Sequence, residues 1–244
     1  MNAVIDLLKS HRSIRKFRAD PVPAETLHEL IQAGQGAASS SFLQGVSVIQ
    51  VNRPESRSRL ARIANNQAYV ETAPVFLVFC ADLRRSSNCC EMHDAVATRG
   101  FTEQFIIATV DVALFAQNVA TAAESAGLGI CYIGALRNDP AGVCELLEIP
   151  EDVYPVFGMC LGFPDQDPEI KPRLPLEVVL KQDSYLDEDE SDIQDYDRIV
   201  REYYRTRSGG TKDMSWSEQM SGLLGRESRP HMREFLRRQG FEMK

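Results

Sequence analysis

Two short basic segments far apart in the chain have residue types that could do chemistry: His11-Arg12-Ser13-Ile14-Arg15 and Lys171-Pro172-Arg173. The first follows an apolar run at helical spacing and the second is stiffened by proline, so each holds its charges at a fixed geometry. A phosphate monoester needs several charge-assisted donors held in place. Arg12, Ser13, Lys171 and Arg173 are suitable types for one shared anion clamp. On residue types alone, separate surface cations account for the two segments more simply. Other chemistries find less support. No nucleophile elbow, P-loop or G-x-G-x-x-G follows a candidate strand, which argues against acyl transfer, P-loop phosphoryl transfer and the Rossmann dinucleotide mode. The four histidines do not cluster and the six cysteines show no C-x-x-C spacing, so no metal site is expected.

The elements that position these segments can be read from periodicity. Residues 3–8 place Val4, Ile5 and Leu8 at helical spacing, and a short helix delivers the first basic segment. Pro23 suits a first helical turn, and Leu27, Leu30 and Ile31 form one stripe ending near Gly34 and Gly36. A serine-rich loop follows. Residues 46–51, 75–80, 130–133 and 156–161 read as buried strands, with helices over 54–64, 102–126 and 141–147. The alanine-rich stretch 102–126 is apolar on more than one face and should be a central helix packed on several sides. Mixed helices and strands without a strict βαβ repeat predict an α+β layered fold with a central mixed sheet. After Pro164 the texture changes. Residues 177–180 read as an edge strand, 183–197 as an acidic linker or solvated helix face, and 193–204, 216–224 and 230–239 as helices. Ser208-Gly209-Gly210 reads as a flexible break.

Composition narrows the classes further. A chain of 244 residues, 43% hydrophobic and 25% charged, can bury a substantial core. Its net charge of −8 repels phosphate backbones and anionic lipid, so nucleic acid is not an expected partner. No secretory signal is read at the start, and Glu103, Asp111 and Glu124 interrupt the most apolar stretch, which favours a buried helix over a membrane span. Cysteines inside apolar segments, with no disulfide pattern, suit a reduced cytoplasmic protein; Cys89 and Cys90 have no assigned role.

Over essentially its whole length the chain resembles the NADPH-dependent, oxygen-insensitive nitroreductase and flavin reductase group of the nitroreductase superfamily. The resemblance rests on His11-Arg12-Ser13-Ile14-Arg15, Ser39-Ser40-Ser41-Phe42-Leu43-Gln44, Gln67, Tyr132-Ile133-Gly134-Ala135-Leu136-Arg137-Asn138, Leu161-Gly162, Lys171-Pro172-Arg173-Leu174-Pro175 and Glu227-Ser228-Arg229-Pro230. Where the family has two glycines after the Tyr-Ile pair, this chain has Gly134 and then Ala135.

The resemblance implies an intertwined homodimer with a nitroreductase-like fold and FMN at the dimer interface. It divides the chain into an FMN-binding core, 1–175, and a C-terminal excursion, 176–244, that packs on the partner chain and carries the NADPH loop. His11, Arg12, Ser13, Lys171 and Arg173 are implied toward the flavin phosphate and ribityl chain, with Ile14 and Tyr132 among the cofactor-binding positions. Arg15 is implied toward N1 and O2 of the ring, where a fixed guanidinium favours the negative charge that reduction creates. Ile133 and Gly134 are implied near N5, Gln67 at the pyrimidine edge, and Ser39, Ser40 and Ser41 as reaching the flavin from the partner. Arg207 and Lys212 are implied at the 2′-phosphate of NADPH, with lysine standing where the family has a second arginine.

The implied activity is hydride transfer from NADPH to FMN, then of two electrons to nitroaromatics, quinones or flavin in ping-pong order. No catalytic acid or base is nominated, because the cofactor performs the hard step. A flavin reductase that supplies free reduced FMN to a monooxygenase is one alternative. A flavin-binding sensor or interaction protein with little turnover is another, of a different class.

Overall fold

The computed structural model describes residues 2–185, 188–208, 210 and 212–244. Its contacts group the chain into two compact units, Met1–Gln166 with His231–Lys244, and Asp167–Pro230.

In the first unit, α1 (Ala3–Lys9) is capped by Asn2, whose side chain accepts from Val4 N at 2.8 Å. Pro23 precedes α2 (Ala24–Gln35), whose buried stripe is Leu27, Leu30 and Gly34. There follow β1 (Val46–Gln50), α3 (Pro54–Ile63), α4 (Ala68–Thr72) and β2 (Val75–Asp82). After these come α5 (Arg84–Met92), α6 (Thr102–Ser125), β3 (Gly129–Ile133), α7 (Pro140–Leu147) and β4 (Val153–Gly162). The strands form one sheet in the order β1-β2-β4-β3. The two central strands, β2 and β4, are buried almost throughout, which is why their sequences are continuous apolar runs rather than alternating ones.

Every neighbouring pair in this sheet is antiparallel, so the mixed sheet expected from the sequence is corrected. The connection through α7 leaves β3 at Ile133, opposite Gly158, and re-enters β4 at Val153, near the same end of the sheet. A helical connection can return the chain to the end it left or carry it across to the other. Only the first makes sequential neighbours antiparallel. The strand read over 156–161 also starts earlier, at Val153. Pro155 cannot donate to the ladder, and the register slips between Phe79 and Cys80 so that Cys80 faces Pro155.

One stripe of α6 is fully buried, formed by Ala108, Val112, Ala116, Val119, Ala120 and Ala123. By length and composition alone α6 could cross a membrane, but this stripe packs on the sheet and on α2 as a core helix does. The helix is thus packed on several sides, as expected, while another face, with Ile106, Val110 and Leu114, is exposed within one chain. The last helix of the chain, α11 (Met232–Arg238), also belongs to the first unit. Phe241 beyond it lies 4.9 Å from the Tyr154 ring, so residues 231–244 pack on their own core.

Two short helices, α4 and α5, escape periodicity. Segment 84–92 is polar and lacks an apolar stripe, yet Asp82 Oδ1 accepts from Arg85 N at 3.3 Å and helps start α5. Four of the six cysteines, Cys80, Cys131, Cys144 and Cys160, are buried in apolar surroundings, and burial raises their thiols above the ordinary range.

In the second unit the edge strand expected at 177–180 is corrected to a helical turn, α8 (Leu176–Val179), closed by Leu180 N donating to Leu176 O at 2.7 Å. Pro175 at its N-cap fixes the entry, and no strand in the described residues pairs with it. Next comes α9 (Glu190–Thr206), which buries Tyr196, Val200 and Tyr204 at four-residue spacing beside Leu174 and Trp216. Of the acidic residues of 183–197, Asp183, Glu188 and Asp189 precede α9 and Glu190, Asp192, Asp195 and Asp197 lie on it, with Leu186 and Asp187 outside the described residues. Then α10 (Trp216–Leu224) begins at a capping box formed by Ser215 and Glu218. Of the expected break at 208–210, Gly209 lies outside the described residues.

Candidate functional site

The first basic segment lies along the start of β3. Ile14 is buried and its N–H donates to Ile130 O at 2.9 Å. Gly129 makes that approach possible, since a Cβ there would come within 2.5 Å of Ile14 Cγ1. His11 is held by Glu124 at the end of α6, with Nδ1 at 2.5 Å from Oε1. Arg12 and Ser13 are half-buried, and Arg15 is exposed.

Arg15 links this segment to two others. Its backbone N–H donates to Gln166 Oε1 at 3.3 Å, and its guanidinium reaches the Tyr69 hydroxyl on α4 and faces Cys131 on β3. Burial, then the neighbouring Cys131, push the Tyr69 hydroxyl above its ordinary value, and the hydrogen bond to Arg15 pulls it part of the way back. Gln67, half-buried, is the N-cap of α4 and accepts from Val70 N through its carbonyl at 2.9 Å. The buried Arg57 fixes α4 from below by donating to Val70 O at 3.0 and 3.1 Å and to Ala73 O.

The far end of β3 carries the second part. Tyr132 is half-buried, with its hydroxyl donating to Gln117 Oε1 at 3.4 Å; burial and the nearby Glu124 raise it well above its ordinary value. Ile133 is buried, and Gly134 opens a tight 3-10 turn in which a Cβ would lie 3.1 Å from Arg137 Nη2. Ala135, where the family has glycine, is half-buried against the core. Asn138 ties the turn down by donating to Ile63 O and Asn65 Oδ1, each at 3.1 Å. His11 to Arg15 therefore lie against β3 and, through Arg15 and Tyr69, against α4, whose N-cap is Gln67, while the turn that Gly134 opens continues β3.

The serine loop sits elsewhere. Asp111, 3% exposed within α6, accepts from Ser39 Oγ at 2.5 Å, Ser40 N at 3.1 Å and Gly45 N at 3.2 Å. Ser41, Phe42 and Gln44 adopt left-handed backbone, with φ of 50°, 58° and 53°, and Phe42 is 82% exposed. Asp111 and Glu124 are thirteen residues apart on one helix, which at the helical rise is roughly 20 Å. Within one chain, Ser39 to Ser41 and His11 thus stand at well-separated points of α6.

Lys171 and Arg173 belong to the second unit, as do Arg207 and Lys212, and three of these four meet at one residue. Arg207 Cζ lies 4.7 Å, Lys212 Nζ 5.2 Å and Lys171 Nζ 5.3 Å from the centroid of the Tyr204 ring. Burial alone would raise the Tyr204 hydroxyl, but its hydrogen bond with Lys171 and the charges of Lys171 and Lys212 outweigh this and hold it below its ordinary value. Arg173 is exposed and its charge faces Tyr196.

Sequence reasoning missed Tyr69, Tyr204, Asp111 and Glu124 as residues that hold the candidates in place. For the two carboxylates a signal existed. Each is a charge inside an otherwise apolar stretch, and a charge kept there needs a specific partner.

Residues 8–163 match the Nitroreductase family, and residues 171–244 match the Nitroreductase family, C-terminal domain. The chain is 47% identical over 240 residues to the NADPH-flavin oxidoreductase of Vibrio harveyi, with 98% of each chain covered. It is 41% identical over 241 residues to the oxygen-insensitive NADPH nitroreductase of Salmonella typhimurium, with 99% of each covered. The crystal structure of nitroreductase A from Vibrio parahaemolyticus superposes with a TM-score of 0.92 at 45% identity over 98% of both chains. A match of fold and sequence over nearly the full length of such relatives means that this chain belongs to the nitroreductase family.

Proposed function

We propose that the protein is an FMN-dependent oxidoreductase that takes hydride from NADPH and delivers electron pairs to nitroaromatics, quinones or flavin in alternating half-reactions. The observation that carries this reading is the placement of Arg15 beside Tyr69 of α4 and Cys131 of β3, the two elements whose ends also carry Gln67 and the Ile133–Gly134 backbone. Such a donor set fits a flavin: a cation for the pyrimidine edge, an amide that both donates and accepts, and a glycine N–H at a strand end that a ring can approach.

Bound FMN supplies the hydride chemistry, and no side chain is required as acid or base. Arg12, Ser13 and His11, with Lys171 and Arg173, are assigned to its phosphate and ribityl chain, for which charge-assisted donors are the right chemistry. Ile14 and Tyr132 frame the segment as packing groups. Arg15 compensates negative charge at N1 and O2. Arg207 and Lys212 are assigned to the 2′-phosphate of NADPH, the group that separates it from NADH.

The working unit is a homodimer on this reading. Its support is the exposed apolar face of α6 at Ile106, Val110 and Leu114, together with Val4, Ile5 and Leu8 on α1. Ser39, Ser40 and Ser41 then serve the partner's flavin, which accounts for their distance from His11 on the same chain. The unpaired cysteines suit a reducing, cytoplasmic location.

Purified protein should be yellow, release FMN on acid denaturation and oxidise NADPH with an added acceptor. Recovery of FAD, or no NADPH oxidation with a quinone, a nitroaromatic and free FMN in turn, overturns the reading. A second activity, reduction of free flavin for release, is favoured by the similarity to the NADPH-flavin oxidoreductase of Vibrio harveyi. Turnover with free FMN at matched acceptor concentration measures it.

A further inference from the structure

Three cations surround one buried aromatic ring in the second unit, and among the described residues none of them forms an ion pair with a carboxylate. Tyr204, 6% exposed on the last turn of α9, is held by packing in the cluster of Tyr196 and Val200, and its hydroxyl donates to Gln219 Oε1 at 3.1 Å. Two of the cations are also tied to that turn through their backbones. Arg207 N donates to Tyr203 O and Lys212 N donates to Tyr204 O, each at 3.0 Å. The Arg207 guanidinium is steered further by Nε donating to Gly210 O at 2.9 Å. Glu169 accepts from Ser208 N at 2.9 Å and Ser208 Oγ at 3.1 Å, which anchors the loop and sets one carboxylate near Arg207.

Like charges gathered on one platform repel one another, and their side chains would spread into water unless something held them. The face of an aromatic ring attracts cations and supplies that hold without neutralising the charge. What results is a preassembled site in which three cations outnumber the nearby carboxylate of Glu169, and the excess positive charge suits the anion that a phosphate monoester provides at neutral pH. We infer that Tyr204 is a positioning residue for donor specificity: its ring gathers Arg207 and Lys212 into one site for the 2′-phosphate of NADPH, while Lys171 at the same ring keeps its assignment to the flavin phosphate. This inference rests on the assignment of Arg207 and Lys212 made above and adds the residue that makes two separate loop charges act together.

The test uses the FMN-loaded enzyme and compares NADPH with NADH. Tyr204→Phe keeps the ring and loses the hydroxyl. Replacing residue 204 by progressively fluorinated phenylalanines then weakens the ring's attraction for cations at nearly constant shape, so the fold is retained. Tyr204→Phe should keep the donor preference, and the fluorinated series should raise KM for NADPH by roughly two- to tenfold, the range that loss of a cation–π contact implies, while kcat and KM for NADH stay constant. A flat series, equal shifts for both donors, or loss of preference already in Tyr204→Phe overturns the inference. Arg207→Ala in parallel separates the two levels. If it abolishes NADPH preference while the fluorinated series is flat, the phosphate assignment stands and only the role of Tyr204 falls.

Discussion

His11 Nδ1 lies 2.5 Å from Glu124 Oε1, 113 residues later in the chain, and this pair fastens the basic segment to the end of the central helix. Glu124 is largely buried, so its carboxyl group finds its partner in the imidazole rather than in water. Glu124→Ala should therefore release His11 and loosen the segment that carries Arg12 to Arg15. We expect a stability loss of about 1–3 kcal/mol in urea denaturation, the cost of an orphaned polar partner, together with faster FMN release. FMN dissociation unchanged from the wild type would show that the pair serves folding alone.

The phosphate assignment is tested from both units. Arg12→Ala and Lys171→Ala each remove a charge-assisted contact of about 1.5–3 kcal/mol, so the FMN dissociation constant should rise roughly ten- to hundredfold in each. Flavin fluorescence titration reads the change. Unaltered constants in both variants would refute the clamp.

Gly129→Ala tests the seat of the segment on β3. The new methyl group would meet Ile14 Cγ1 at 2.5 Å, so either the side chain or the whole segment must move. Overpacking of this kind costs about 1–3 kcal/mol. Because Ile14 sits between Ser13 and Arg15, the thermal midpoint should fall and FMN affinity with it. A lower midpoint with intact FMN affinity would mean that Ile14 yields without moving its neighbours.

Donor selection should depend on Arg207. Arg207→Ala is expected to raise KM for NADPH by roughly tenfold or more, the scale of one charge-assisted phosphate contact, with little change for NADH. Equal effects on both donors, or a wild-type preference for NADH, would place 2′-phosphate recognition elsewhere.

Assembly is tested on the exposed face of α6. Val110→Glu places a charge in the middle of the stripe formed by Ile106, Val110 and Leu114, and an unpaired charge in an apolar interface is strongly unfavourable. Sedimentation should show the wild type as a dimer and the variant shifted toward monomer with loss of FMN. An FMN-bearing, active monomer would remove the interface from the site.

The local elements were largely written in the sequence. Continuous apolar runs announced β2 and β4, because strands buried on both faces need no polar alternation. Proline and glycine punctuation marked the limits of α2 and the start of α7, because these residues act through the local backbone alone. The basic segments and the Tyr132 to Asn138 stretch were legible for a different reason: their types and order resemble those of a family whose chemistry requires them.

Only the tertiary structure decided how these parts combine. The antiparallel sense of the sheet depends on which end of β4 the α7 connection re-enters, a long-range fact with no local signature. The helix over 176–179 took the place of an expected strand because a short apolar run has no strand identity without a partner to pair with. Asp111 and Glu124 looked alike as interruptions of one helix, yet the first organises the serine loop and the second holds His11. Arg207, Lys212 and Lys171 were three scattered charges until the fold gathered them on the Tyr204 ring. Residue type and spacing fix what a side chain can bond to; which partner it meets is fixed by contacts between segments distant in sequence, and these arise only when the chain has packed.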